Sequence, residues 1–144
     1  QSGNRTVDAI INCKKTEAQE KNIAFTFTVD FLGEITIKAI DICAVLANQL
    51  DNALEACEKV ISMERFVDVQ VRRKNDFVFM IVKNSVAQNP FDENGTLHSK
   101  KMQDDRIHGL GLVNIAETVK KYDGNLKNEY RDQMFVSYVM LQNG

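Results

Sequence analysis

Apolar and polar positions follow two periods along this chain, and the switches between them mark its elements. Val7, Ile10, Ile11 and Ala18 recur at helical spacing in a charged background, which predicts a helix over 5–22. From residue 23 the period drops to two. Ile23, Phe25, Phe27, Val29 and Phe31 face one way, and Thr26, Thr28 and Asp30 the other, so 23–31 reads as a half-buried strand. The strongest helical pattern covers 38–61, where Ile42, Leu46, Leu50, Ala53, Cys57 and Val60 or Ile61 make one apolar stripe. Alternation returns through Val67, Val69 and Val71 in a strand over 66–74. A short turn at Lys74-Asn75-Asp76 then leads into 77–82, which is apolar on both faces. That run predicts a central strand, paired antiparallel with its predecessor.

Residues 85–107 show no period and hold the only proline, Pro90. A loop of about 23 residues in a small domain is usually functional or disordered. A helix over 110–122 follows, with Gly124 at the C′ position. Residues 125–130 and 133–141 close the chain as a hairpin turning at Arg131-Asp132. Three helices and about five strands in this order predict an α+β fold: a two-layer sandwich of a mixed, mostly antiparallel sheet with its helices on one face.

Composition removes several function classes. At 144 residues one domain with an adequate core is expected. Hydrophobic residues make up 44% and charged residues 26%, as in soluble globular proteins. A net charge of −2 gives no electrostatic case for nucleic acid or an anionic membrane as partner. No apolar run approaches the roughly 18 residues of a membrane span, and no signal-peptide pattern opens the chain. Cys13, Cys43 and Cys57 have neither metal nor redox spacing, and an odd number cannot all pair. Buried free thiols in a reducing compartment are expected. The chain begins Gln-Ser-Gly-Asn without Met, which reads as a fragment or a processed form.

Candidate chemistry gathers in three places. At about 100° per residue, Asn48, Asp51, Asn52 and Glu55 fall on the side of the 38–61 helix away from its stripe. Two mid-helix asparagines one turn apart are poor helix formers. They read either as solvated surface or as oxygen donors for a hard cation, since one Asn carbonyl plus nucleotide phosphates would suit Mg²⁺. The sequence His108-Gly109-Leu110-Gly111-Leu112 opens the next helix. It reads either as a joint needing positive φ or as a phosphate cradle at a helix N-terminus. It is not a P-loop, and it does not follow a strand as a dinucleotide fingerprint would. Lys100, Lys101 and Arg106 lie close by, in a charged loop or in a lid that closes on phosphates. Asn84 sits at the exit of the central strand, as a turn residue or as a polar group for a base edge. His98 and His108 have no obvious Ser, Cys or Asp partner, so neither a hydrolytic triad nor a metal-ligand cluster is read.

In this order the parts resemble the GHKL ATP-binding superfamily, which includes gyrase B, MutL and the sensor histidine kinases. Within it the chain is most similar to the catalytic domain of AgrC-like peptide- and quorum-sensing kinases. Leu46-Ala-Asn-Gln-Leu-Asp-Asn-Ala-Leu-Glu-Ala-Cys57 resembles their N box, Val82-Lys-Asn-Ser85 a reduced first glycine box, and Ser99-Lys-Lys101 with His108-Gly-Leu-Gly-Leu112 their lid and second box. The resemblance implies ATP and Mg²⁺ as cofactors, with Asn52 as the Mg²⁺ ligand. It puts Asn48 where the hydrolytic branch carries a Glu base, which points to a kinase because an amide cannot act as a base. Asn84 stands in for the Asp that reads the adenine amino group, and Ser85-Val86-Ala87 replaces the usual glycines. Gly109 and Gly111, with His108, Leu110 and Leu112 around them, would frame the phosphates, and Lys100, then Lys101, would contact them.

The function implied is the catalytic domain of a two-component sensor histidine kinase, passing the γ-phosphoryl group to a His on an upstream hairpin. The partners implied are that dimerising hairpin, a response regulator and a second copy of the parent protein. Neither nucleic acid nor direct membrane contact is implied for the domain, which is expected on the cytoplasmic side of a bacterial membrane. Residues 1–22 would continue from the hairpin, and 23–144 would form the catalytic domain with 85–107 as its lid. The alternatives are a nucleotide-gated binding module without catalysis and an anti-sigma-type serine kinase.

Overall fold

A computed structural model describes residues 2–30, 34–61, 63–91, 93 and 115–144. The elements run α1 (Ser2–Glu20), β1 (Ala24–Asp30), α2 (Ala39–Glu58), β2 (Phe66–Lys74), β3 (Phe77–Ser85), a helical segment at 115–121 (α3), β4 (Asn125–Arg131) and β5 (Met134–Gln142). The strands form one sheet in the order β1-β2-β3-β5-β4. Only β1 and β2 pair in parallel; the other three pairings are antiparallel. The expected mixed sheet and two-layer α+β sandwich are therefore present, and the doubly apolar run lies in the central strand.

The helical stripe of α2 makes the core. Leu46, Leu50, Leu54 and Cys57 are at most 1% exposed and meet Val67, Val69, Val78, Met80 and Val82 from the sheet. Val7, Ile11 and Ala18 of α1 enter the same core with no exposure, so α1 packs as part of this layer. Burying side chains of this size contributes about 1.5–3 kcal/mol each. Val60, not Ile61, completes the stripe, because α2 stops at Glu58 and Ile61 is left 91% exposed. Phe27 also departs from the expected pattern. It is 37% exposed, with the Lys15 ammonium 5.7 Å from its ring centre. Of the three free thiols Cys43 and Cys57 are buried as expected, whereas Cys13 is exposed on α1.

The helix ends explain how the layers turn. After α1, Asn22 takes φ 58°, while Ile23 N–H bonds the Ala18 carbonyl and Asn22 N–H that of Gln19. That double bond with an αL residue is the Schellman closure. Arg65 then donates to the carbonyls of Lys21, Glu58 and Val60, placing its charge at the C-terminal ends of both helices. The end of α3 repeats the closure with a difference from expectation. Asp123, at φ 48°, holds the C′ position, and Gly124 is the next residue, its N–H bonding Val119's carbonyl at 2.7 Å.

The β4–β5 turn consists of Asp132 and Gln133 at φ 50° and 62°. Both signs are those of a type I′ hairpin, whose second position favours glycine. A side chain in αL costs about 1–2 kcal/mol, partly offset by glycine's larger entropy loss. Gln133→Gly is accordingly expected to stabilise the domain by roughly 0.5–1 kcal/mol, read as a rise of a few degrees in the thermal midpoint. An unchanged or lower midpoint would place the turn in another conformation.

Candidate nucleotide site

The site begins with how α2 is held. Asp51 pairs with Lys14 of α1 and Glu58 with Lys21 just beyond its end, which fixes one flank of the helix against its neighbour. Asp51 is thereby drawn out of the expected amide face and into an interhelical ion pair. Asn48, Asn52 and Glu55 remain within an arc of about 60° at 100° per residue. All three are half-buried, less exposed than residues of a freely solvated face. On the other flank Gln49 is 3% exposed and reaches down to the sheet, donating to the Met80 carbonyl at 3.2 Å and the Ser137 hydroxyl at 3.1 Å.

Asn84 lies inside β3, two residues beyond the strand end expected from the sequence. The face it shares with Val78, Met80 and Val82 is the one covered by α2. It is 2% exposed, and its amide nitrogen donates to the Ser85 carbonyl at 2.9 Å, which leaves the side-chain oxygen as the acceptor. That is the orientation needed to receive an exocyclic amino group. Phe135, its cross-strand partner, packs against Phe91 with ring centres 6.2 Å apart. The departure at Ser85 also has a structural basis. Its buried hydroxyl accepts from Phe66 N–H at 3.0 Å and lies 3.5 Å from the Cys57 sulfur. Burial pushes the Cys57 thiol up, so it stays protonated and donates to the Phe66 carbonyl. Side-chain bonds thus hold the backbone at a position where glycines were expected.

The start of α2 is tied to the end of α3. Asp41 accepts from the Tyr122 hydroxyl and pairs with Lys121 at 3.1 Å, while Lys38 N–H bonds the Tyr122 oxygen. The Tyr122 bond holds the Asp41 carboxyl below its usual value, and Lys121 acts in the same direction. Lys100, Lys101, His108, Gly109, Leu110, Gly111 and Leu112 lie outside the described residues, as does His98. Among the described residues no group of three or more His, Cys, Asp or Glu could cage a metal. The donor set at Asn48 and Asn52 suits a Mg²⁺ ion that takes most of its oxygens from phosphate and water.

Asn48 and Asn52 lie in the middle of α2, and Asn84 lies on the sheet face that this helix covers. Sequence reasoning missed Gln49, Ser137 and the Phe91–Phe135 contact. Gln49 carried a signal: it is polar at a position three residues after Leu46, within the apolar stripe.

The family model of the GHKL domain matches residues 37–142, most of the chain. The chain is a GHKL domain. No curated protein matches it. Among solved structures it is similar to the catalytic domain of the histidine kinase ThkA, with 21% identity and a TM-score of 0.72 over 97% of this chain and 91% of that one. It is also similar to full-length ShkA in complex with AMPPNP, with 14% identity and a TM-score of 0.73 over 100% of this chain and 31% of that one. A third is ThkA in complex with the response regulator protein TrrA, with 16% identity and a TM-score of 0.71 over 98% of this chain and 40% of that one. At these identities the likeness is one of fold. No helix among the described residues is long and apolar enough to cross a membrane.

Proposed function

We propose that this GHKL domain binds Mg²⁺–ATP and acts as the catalytic domain of a sensor histidine kinase, handing the γ-phosphoryl group to a His on an upstream hairpin. The carrying observation is a buried acceptor, Asn84, on the sheet face covered by α2, the helix that carries two half-buried amides one turn apart, Asn48 and Asn52. Asn84 would take the adenine amino group. Asn52 would hold Mg²⁺, and the metal would offset phosphate charge during transfer. Asn48 cannot remove a proton from water, which favours transfer over hydrolysis. His108, Gly109, Leu110, Gly111 and Leu112 would surround the phosphates, with Lys100 and Lys101 closing over them. The fold neighbours support this reading: ShkA was solved with AMPPNP, and ThkA with a response regulator. A response regulator as downstream acceptor, a dimeric parent of the peptide-sensing group and a place on the cytoplasmic side of the membrane complete the proposal.

The test is a thermal melt with Mg²⁺–ATP and Mg²⁺–GTP, followed by transfer of labelled phosphate to an added hairpin. Ligand at 100 times its Kd adds about 2.7 kcal/mol, a rise of roughly 5–10 °C at this size. An ATP-selective, Mg²⁺-dependent rise with labelling of the hairpin His is expected. A rise without transfer would leave a nucleotide-gated binding module, and no rise would remove the nucleotide altogether. In the same assay Asn84→Ala should lower the preference for ATP over GTP about tenfold, the value of one buried hydrogen bond. An unaltered preference would put adenine recognition elsewhere.

A further inference from the structure

Gln49 occupies a core position where leucine would pack without polar cost. Its neighbours include Val45, Leu46, Leu50 and Ala53, and it is itself 3% exposed. Its amide nitrogen is bound to the Met80 carbonyl and the Ser137 hydroxyl, but its oxygen is buried with no hydrogen-bond partner among the described residues. Buried polar atoms are nearly always paired, and an unpaired one destabilises the fold. The amide nitrogen also fixes Ser137: because the hydroxyl oxygen accepts from Gln49, its proton points elsewhere. One acceptor and one donor therefore stand side by side on the helix-facing side of β5.

Their place relative to Asn84 follows from the strand register. Ser137 pairs with Val82 and Phe135 with Asn84, so the two polar points are diagonal neighbours on the same face, about 7–8 Å apart. On α2, Gln49 and Asn52 are less than one turn apart, on the flank away from α1. Gln49 is thus within one helical turn of Asn52, and Ser137 lies diagonally across the β3–β5 pair from Asn84. We propose that Gln49 and Ser137 form a second point at which this domain reads the base of its nucleotide, with Gln49 Oε1 accepting and the Ser137 hydroxyl donating. The inference rests on the nucleotide reading above and extends it to two residues outside the glycine boxes and the N-box asparagines.

Gln49→Leu, Ser137→Ala and the double variant test it by titration with Mg²⁺–ATP and with Mg²⁺–tripolyphosphate, which has no base. Each single variant should bind ATP roughly five- to tenfold more weakly, and the double variant, which lacks both contacts, more weakly than either. Affinity for tripolyphosphate should be unchanged. Ser137→Ala removes one hydroxyl and leaves the Gln49 amide nitrogen bonded to the Met80 carbonyl, so it carries the test even where Gln49→Leu fails to fold. Wild-type protein that binds no nucleotide overturns the nucleotide reading itself. Wild type that binds ATP, with folded variants matching it or losing tripolyphosphate equally, overturns only the role of Gln49 and Ser137.

Discussion

Asn52→Ala is expected to abolish Mg²⁺-dependent ATP binding while leaving the ligand-free domain folded. Mg²⁺ demands near-ideal octahedral oxygen geometry and takes few protein ligands, so the loss of one removes much of the protein's hold on the ion. A weakening of at least about 100-fold follows, or roughly 2.7 kcal/mol, because even groups behind the ligands cost 10–100-fold in metal affinity. The fold should not suffer to match. Asn52 sits in mid-helix, half-buried on the side away from the sheet, and alanine is the better helix former by several tenths of a kcal/mol. Calorimetric titration with and without Mg²⁺ separates these effects. Mg²⁺-dependent affinity equal to wild type would make the amide face of α2 a surface feature and remove the metal from the proposed mechanism. A collapse of the ligand-free melt would show that Asn52 is structural instead.

How much of this was legible beforehand differs between fold and site, for physical reasons. Side-chain periodicity is local, so α2, the β2–β3 hairpin and the final hairpin could be read from alternation and stripe alone. The parallel pairing of β1 with β2 brings together residues 24–30 and 66–72, and only the packed layer decides it. The site was half legible. Asn48, Asn52 and Asn84 stood out because amides are costly where they occur. Asp51 belonged with them by angle, yet Lys14 on α1 draws it away, a pairing between residues 37 positions apart that no window reveals. Gln49 was hidden for the opposite reason. An apolar stripe absorbs one glutamine without losing its period, and only the tertiary contacts to Met80 and Ser137 show what it does. Cys13 failed as a buried thiol because α1 buries only the narrow face carrying Val7, Ile11 and Ala18.

Gly124→Ala is expected to be the most damaging small substitution outside the site. The position does not need glycine's conformational freedom: the left-handed residue of this turn is Asp123, at φ 48°. What it needs is space. A Cβ at Gly124 would overlap the Met140 carbonyl oxygen on β5, with the carbonyl carbon at 3.1 Å and Leu141 Cδ2 at 3.2 Å. Neither partner yields easily. Met140 is held by its pairing with Asn125 and Phe79, and Leu141 is fully buried. Gly124 is itself fixed by its bond to the Val119 carbonyl, and Gln142 N–H bonds the Tyr122 carbonyl across the same junction. Overpacking against a movable side chain costs about 1–3 kcal/mol; against backbone held on both sides the upper end or more applies. A loss of about 3 kcal/mol would lower the melting midpoint by roughly 10 °C. Asp123→Gly should shift the midpoint slightly upward, because it relieves a left-handed backbone without adding an atom. If the two substitutions change the melt alike, the turn is governed by backbone freedom and the close approach of α3's end to β5 is wrong. If they move it in opposite directions, steric contact at Met140 sets the junction that carries α3, and with it Tyr122 and its hold on Asp41, against the sheet.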